Sequence, residues 1–453
     1  MKSISKYLLA FTFLLSALVT RAASILIPMD EVQKDHLKSY GIAFWVLKNG
    51  GEVDWLLNYR GGSFMSKYDK KLEDECKIRG VSYEVLAEAK VSEIVTQVND
   101  PSVNMDLVKL EKAPRMAVYS PKVGIKPSDD AVIIVLKYAE IPFDIIYDEE
   151  ILKGDLPKYD WLHLHHEDFT GQYSKNTGRG RNADRMMEDK AIQEGTAHKW
   201  GFQKVSKMKL AVAQHIRDFV AGGGFLFAMC SGADSFDIAL AAANTDIVDE
   251  IYDGDGVDPN AQSKLDFTQT FAFQNFTVDT DPYSRRFSDI DVGRTRYINP
   301  TEDFFTLFDF SAKWDVIPSM LTQDHERVIK GFRGLATAFN MSKLKPGVTI
   351  MGELKSANEA RYIHGEYGKG QWTFYGGHDP EGNFGGGRGG GGYRGGGGGF
   401  NGGGSAGSGG IYGNVGGSID GSTDLSLHPN SPGYRLILNN VLFPAARKKK
   451  QKT

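Results

Sequence analysis

The sequence predicts an α/β protein built on a parallel sheet, with a smaller α/β unit ahead of it. Three observations carry that expectation. Short apolar runs alternate with amphipathic helical stretches from Ser24 onward, the pattern of strands joined by crossover helices. One run, Phe225-Leu226-Phe227-Ala228-Met229, follows the stop Gly222-Gly223-Gly224 and passes through Cys230 into a small-residue helix carrying Phe236, Leu240 and Ala243. A late run, Gln371-Trp372-Thr373-Phe374-Tyr375, is entered by Gly368-Lys369-Gly370 and delivers Gly376-Gly377-His378-Asp379-Pro380-Glu381.

Taken in order, the smaller α/β domain is placed at 23–112. Ile25-Leu26-Ile27-Pro28 reads as a strand, and 31–47 as a helix with Leu37, Tyr40, Phe44 and Leu47 on one face. Val53-Asp54-Trp55-Leu56-Leu57 is the next strand, broken by Arg60-Gly61-Gly62. Helices over 70–79 and 91–98 flank a strand over 81–86, and this alternation predicts a parallel sheet here as well.

The main domain is placed at 113–446. It opens with strand Met116-Ala117-Val118-Tyr119, a helix over 130–139, and strand Phe143-Asp144-Ile145-Ile146-Tyr147. A further strand over 159–165 runs into the polar cluster His166-Glu167-Asp168. A polar, basic stretch over 172–185 leads to a long helix. Its stripe Val205, Met208, Val212, Ile216 and Phe219 has the helical period, and it stops at the glycines before Cys230. Residues 253–346 break into short extended pieces rich in Asp, Phe and Thr, an insertion of loops and edge strands. Regularity returns with strands over 348–352 and 360–364. Residues 382–421 hold much of the chain's 53 glycines and cannot bury a core, so a flexible excursion is expected. A helix over 433–442 closes the fold, and 447–453 is a solvated basic tail.

Residues 1–22 read as a secretory signal: Lys2 and Lys6, an apolar core over 7–19, and Thr20-Arg21-Ala22 as a small-residue cleavage site. That core is too short to span a bilayer, and no later stretch is long and apolar enough, so a periplasmic or secreted protein without a membrane span is expected. A net charge of −4 names no partner. Arg388 and Arg394 are the only arginines in the glycine-rich stretch, too few to predict nucleic-acid binding. The 2 cysteines, Cys76 and Cys230, do not make a disulfide scaffold, although a single bridge between them stays open.

Strand, sharp turn and helix around Cys230 form a nucleophile elbow. The turn lifts the thiol clear of the sheet, while the first N–H groups and the dipole of the following helix stabilise a thiolate and a developing oxyanion. The alternative is that Cys230 is a small buried residue ending a core strand. His378 stands at the carboxyl end of its own strand, on the edge where open α/β sheets bind ligands. A Cys with a His as base, the His oriented by a carboxylate, is the minimal apparatus for acyl transfer.

The order and spacing of Ala228-Met229-Cys230-Ser231-Gly232 and of Gly368-Lys369-Gly370 through His378 resemble the class I glutamine amidotransferase-like superfamily. The resemblance covers about three-quarters of the mature chain. It implies a flavodoxin-like domain with Cys230 as nucleophile, His378 as general base, Glu381 as orienting carboxylate and Ser231 at the oxyanion. The family spaces its His and Glu by one residue, whereas here two intervene, so Asp379 is a rival third member. The whole chain is also similar to exported bacterial proteins labelled asparagine synthetase B. Such synthetases use an N-terminal Cys and a Ser-Gly-Gly-x-Asp-Ser loop, and neither is present here.

The other dense polar cluster is His163, His165, His166, Glu167 and Asp168. His163 and His165 share one strand face and with Glu167 could hold a divalent metal; otherwise they pack or line the pocket edge, and no cofactor is expected. Asp253-Gly254-Asp255-Gly256-Val257-Asp258 has the look of a calcium loop but lacks the full ligand set. The expected function is an exported thiol amidohydrolase acting on a small-molecule carboxamide or peptide-like amide. The alternative is a non-catalytic module binding a sugar or peptide in the same crevice.

Overall fold

The computed structural model describes residues 22–121, 130–172, 175, 183–284, 286–293, 303–331, 338–381 and 423–447. The apolar core of the signal, most of the polar stretch over 172–185, the glycine-rich stretch and the last residues of the basic tail lie outside them.

Two sheets organise the described residues. The first contains β1 (Ala22–Ile27), β2 (Val53–Leu57), β3 (Ser63–Lys67), β4 (Glu84–Ala87) and β5 (Asp106–Leu110) in the order β4-β1-β3-β2-β5. Every neighbouring pair is antiparallel, which corrects the parallel sheet expected for this unit. Residues 58–62 alone join β2 to β3, and a connection that short joins only antiparallel neighbours. Asn58, Arg60, Gly61 and Gly62 make it by adopting φ of 59°, 46°, 77° and 88°. The helices are set by local chemistry. His36–Lys48 begins where Asp35 accepts the Lys38 N–H, and Lys70–Arg79 runs from an Asp69 cap to a left-handed Gly80.

The second sheet holds β6 (Met116–Tyr119), β7 (Asp144–Ile146), β8 (Trp161–Leu164), β9 (Phe225–Met229), β10 (Phe304–Leu307), β11 (Val328–Lys330), β12 (Phe339–Asn340), β13 (Thr349–Leu354), β14 (Glu359–Tyr367) and β15 (Gly370–Tyr375). Its order is β11-β10-β13-β14-β15-β9-β8-β6-β7, with β12 paired to β14 off the main path. The strands β7-β6-β8-β9-β15 are parallel, and from β14 outward the sheet continues antiparallel, so it is mixed. β6, β8 and β9 are buried along their whole length, as expected of strands covered on both faces. Helices Val205–Ala221 and Ser231–Ala241 cover one face, Ala131–Tyr138 and Pro432–Leu442 the other. The stretch expected as one long helix after 185 is two helices, Ala183–Lys199 and Val205–Ala221, parted at Gly201 with φ of 81°. Among the described residues of the insertion are β10, β11, β12, the short helix Val316–Leu321 and 3₁₀ turns.

The two units share one core. Leu37, Tyr40 and Phe44 pack in the same cluster as Val132, Leu136, Leu436 and Val441. Gly41 permits the approach, since a Cβ there would stand 1.9 Å from the Ala139 carbonyl oxygen. Arg435 is wholly buried and donates to the Met29 carbonyl at 3.1 Å, to the Tyr40 hydroxyl at 3.1 Å and to the Gly61 carbonyl. Among the described residues no helix is long and apolar enough to cross a membrane.

Register places the site. β15 lies beside β9 in parallel, with Tyr375 opposite Met229, so the residues that follow each strand emerge on the same edge. The Cys230 N–H donates to the Gly377 carbonyl at 3.0 Å and ties the two strand ends together. Gly370 opens β15 because a Cβ there would meet the carbonyl oxygens of Val220 and Gly224 at 2.1 and 2.3 Å.

Candidate active site at the carboxyl edge of the parallel strands

Cys230 sits between β9 and helix Ser231–Ala241 with φ of 50° and ψ of −141°, a backbone conformation that L residues rarely adopt. The turn is held by its neighbours. The Gly232 N–H donates to the His165 carbonyl at 2.6 Å, and a Cβ on Gly232 would lie 2.9 Å from that oxygen. Ser231 Oγ donates to the His166 carbonyl at 2.9 Å and Ser235 Oγ to the Glu167 carbonyl at 3.1 Å, so the helix fastens the loop after β8. The Ser231 N–H is the first of its helix and has no acceptor within its own turn.

The sulfur of Cys230 and one ring nitrogen each of His165, His166 and His378 lie within 4.8 Å of one another. Cys230 and His165 are buried, His166 half-buried, and His378 9% exposed. His165 Nε2 meets His378 Nδ1 at 3.2 Å, and His165 Nδ1 faces Asp130 Oδ1 at 3.3 Å, off the line of a well-formed hydrogen bond. Asp130 is itself fixed, because Oδ1 also accepts the N–H groups of Val132 (2.8 Å) and Ile133 (3.0 Å) as the cap of helix Ala131–Tyr138. His163 approaches the same oxygen with Nε2 at 3.6 Å, while its Nδ1 donates to the Phe227 carbonyl at 3.0 Å. An ionised carboxylate only accepts, so the network assigns the protons in sequence. Nδ1–H of His165 faces Asp130, Nδ1–H of His378 points to His165 Nε2, and Nε2 of His378 carries that ring's lone pair.

Electrostatics follow this chain. Burial opposes ionisation of Cys230, but hydrogen bonds from His166 and His378, with their charge, bring the thiol from 9.0 down to about 6. Burial likewise opposes charge on Asp130, and the imidazoles of His165 and His163 overcome it, holding the carboxyl well below 3.8. Burial, then His166, pushes His165 well below 6.5. Cys76 is the contrast: burial and then Glu75 push it up from 9.0 to about 12. Both cysteines are unbridged, which closes the alternative of a disulfide.

Of the residues singled out in the sequence, the structure brings together Cys230, His378, His165, His166 and the Ser231 backbone. It does not bring Glu381 to His378. Glu381 accepts from Ser431 Oγ at 2.6 Å and faces His428 Nδ1 at 3.5 Å. Asp379 is bound by the Tyr434 hydroxyl at 2.7 Å and Thr423 Oγ1 at 2.5 Å. The ring behind His378 is His165, and the carboxylate behind that is Asp130, which the sequence presents only as a helix start. Its one sequence signal was the position of an N-cap ahead of Ala131-Val132-Ile133 on the loop leaving β6. The carboxylate against the His163–His165 pair is also Asp130; Glu167 belongs to neither converging group among the described residues. Glu167 and Asp168 are instead raised by burial, Glu167 to about 7. In the calcium-like stretch, Lys204 Nζ reaches Asp246 (2.8 Å), Asp253 (3.1 Å) and Asp255, so an ammonium already sits among these carboxylates.

No family model and no curated protein matches the chain. Among solved structures it is similar to the cytoplasmic protein STM3548 from Salmonella typhimurium, at 11% identity over 58% of this chain and 87% of that one, with a TM-score of 0.30. Cytoplasmic protein STM1381 from Salmonella typhimurium LT2 is 13% identical over 58% and 88%, with a TM-score of 0.31. A β-galactosidase from Bacillus circulans sp. alkalophilus is 12% identical over 69% of this chain and 33% of its own, with a TM-score of 0.23. Likenesses at this level assign the chain neither a family nor an activity.

Proposed function

We propose that this chain is an exported thiol amidohydrolase of the class I glutamine amidotransferase-like type, cleaving a carboxamide or peptide-like amide. The observation that carries the reading is the strained elbow at Cys230 with His378 in reach and His165 and Asp130 in line behind it. The strand order supports a flavodoxin-like arrangement. Numbered along the chain, the parallel strands β7-β6-β8-β9-β15 run 2-1-3-4-5, with the thiol after the fourth and the imidazole after the fifth.

In the proposed reaction His378 Nε2 takes the thiol proton and the sulfur attacks the carbonyl carbon. The Ser231 N–H and the helix dipole stabilise the oxyanion. The C–N bond then breaks as the His378 imidazolium returns its proton to the leaving amine. Water hydrolyses the thioester with His378 again as base. His165 orients His378, and Asp130 orients His165. His166, hydrogen-bonded to the sulfur, stabilises the thiolate.

A second reading, a binding module without catalysis, is favoured by one observation: Cys230 is only 1% exposed. Alkylation separates the two. In folded, reduced protein iodoacetamide should label Cys230 far faster than Cys76, and His378→Ala should slow that labelling. Equal sluggishness of both cysteines would put the binding module first. A screen for ammonia release from glutamine, asparagine and small peptides names the substrate class, and His378→Ala should cost roughly 10²–10⁴-fold in turnover. For export, mass spectrometry of protein from the native host should find a chain starting at or near Ala23, and an intact Met1 would overturn it.

A further inference from the structure

We propose that Cys230, His165, His166 and His378 also form a tetrahedral site for a thiophilic divalent cation of the Zn²⁺ type, whose occupancy caps the thiol. The binding itself does not need the hydrolase reading; the regulatory consequence rests on it.

The donor set is the first argument. One thiolate and three imidazoles are the borderline-soft ligands that suit Zn²⁺ and disfavour Mg²⁺ or Ca²⁺. Geometry is the second. With Zn–N bonds of about 2.0–2.1 Å, two nitrogens on one tetrahedral ion stand about 3.3–3.4 Å apart. His165 Nε2 and His378 Nδ1 stand 3.2 Å apart, and one donor atom from each of the four residues falls within 4.8 Å of the others. The third is the outer shell. A metal-bound histidine typically gives its other nitrogen to a carboxylate, and His165 Nδ1 faces Asp130 at 3.3 Å with both residues buried. Lastly, the ligands come from the ends of three adjacent strands, β8, β9 and β15, so the site is assembled before any ion arrives. The set differs from the His163, His165 and Glu167 trio that sequence suggests.

Binding balances simply. The S–H bond of Cys230 breaks, an S–metal bond forms and the proton leaves to solvent, with no change of oxidation state. Each imidazole that meets the metal must present a bare ring nitrogen, with its proton on the other. A metal-bound sulfur can neither pass a proton to His378 nor attack a carbonyl, so metal binding and thiol catalysis exclude one another.

The test uses the full chain, stripped with chelator and titrated with Zn²⁺ or Co²⁺ alone. The expected result is one ion per chain. The Co²⁺ form should show thiolate-to-cobalt charge-transfer absorption that Cys230→Ser abolishes. Asp130→Asn, which keeps the helix cap, should weaken affinity by roughly 10–100-fold without changing the circular dichroism. Zn²⁺ should block alkylation of Cys230, and chelator should restore it. Absence of stoichiometric binding, or binding unchanged by both Cys230→Ser and His166→Gln, overturns the proposal. If Cys230→Ser does not fold, the half-buried His166→Gln decides alone by losing or keeping the ion. A stripped protein that labels rapidly but binds no Zn²⁺ sinks only this inference. One that binds Zn²⁺ but stays inert when stripped sinks only the hydrolase reading.

Discussion

Cys230 holds its thiol in a backbone conformation with φ of 50°, and that strain is measurable apart from the chemistry. Cys230→Ala and Cys230→Gly both remove the sulfur, but only glycine adopts this conformation without steric cost. Thermal melts should therefore find Cys230→Gly more stable than Cys230→Ala by about 1 kcal/mol, where an unstrained site would reverse the order. The thiol's ionisation gives a second readout. In metal-stripped protein the alkylation rate of Cys230 should rise with pH around a midpoint near about 6, while Cys76 should stay slow well above neutrality. The sign for stability follows from the same shift. The folded-state pKa of Cys230 lies below the ordinary 9.0, so its contribution is full above that value and is lost as pH falls toward about 6.

At the scale of elements, the site depends on how closely helix Ser231–Ala241 approaches the end of β8. A Cβ at Gly232 would lie 2.9 Å from both the His165 carbonyl oxygen and the Leu164 carbonyl carbon, and neither backbone atom can rotate away. Gly232→Ala should cost about 1–3 kcal/mol and, by moving His165 and His166 from the sulfur, should slow Cys230 alkylation as well. A substitution that destabilised the fold but left the labelling rate untouched would detach the loop after β8 from the thiol. The elbow was legible as a short apolar strand, a turn and a small-residue helix because that signal is local. The partner of His378 was not legible, because His165 and Asp130 arrive on loops after other strands and only strand pairing sets them side by side.

At the scale of the whole molecule, the antiparallel unit and the mixed sheet share a core, so they should unfold together. A fragment beginning at 113 would expose Leu436, Val441 and the buried Arg435, which donates to Met29 and Gly61 across the junction. Circular dichroism of that fragment should show no cooperative transition. His36 at the junction adds an acid sensitivity. Burial, then Arg435 and His325, lowers it from 6.5 to about 3, so the unfolded chain takes up the proton first. Stability should decline as pH falls from about 6.5 toward about 3, and His36→Gln should flatten the dependence in that window.

Local features of the sequence determined most of the elements: apolar runs, helical stripes, and glycines that stop a helix or turn a hairpin. They determined the elbow and placed His378 at a strand end, because both follow from chain neighbours. Tertiary structure alone decided the direction of the first sheet, since alternation of strands and helices does not say which strands become neighbours. It also decided that Asp130 and His165, rather than Glu381 or Asp379, stand behind His378. Glu381 is close to His378 along the chain, but its carboxylate is drawn to Ser431 and His428 at the start of the last helix. Asp130 lies far from His378 along the chain, yet the register of β6, β8, β9 and β15 carries it to the same edge, and a buried imidazole pairs with the carboxylate that packing brings to it.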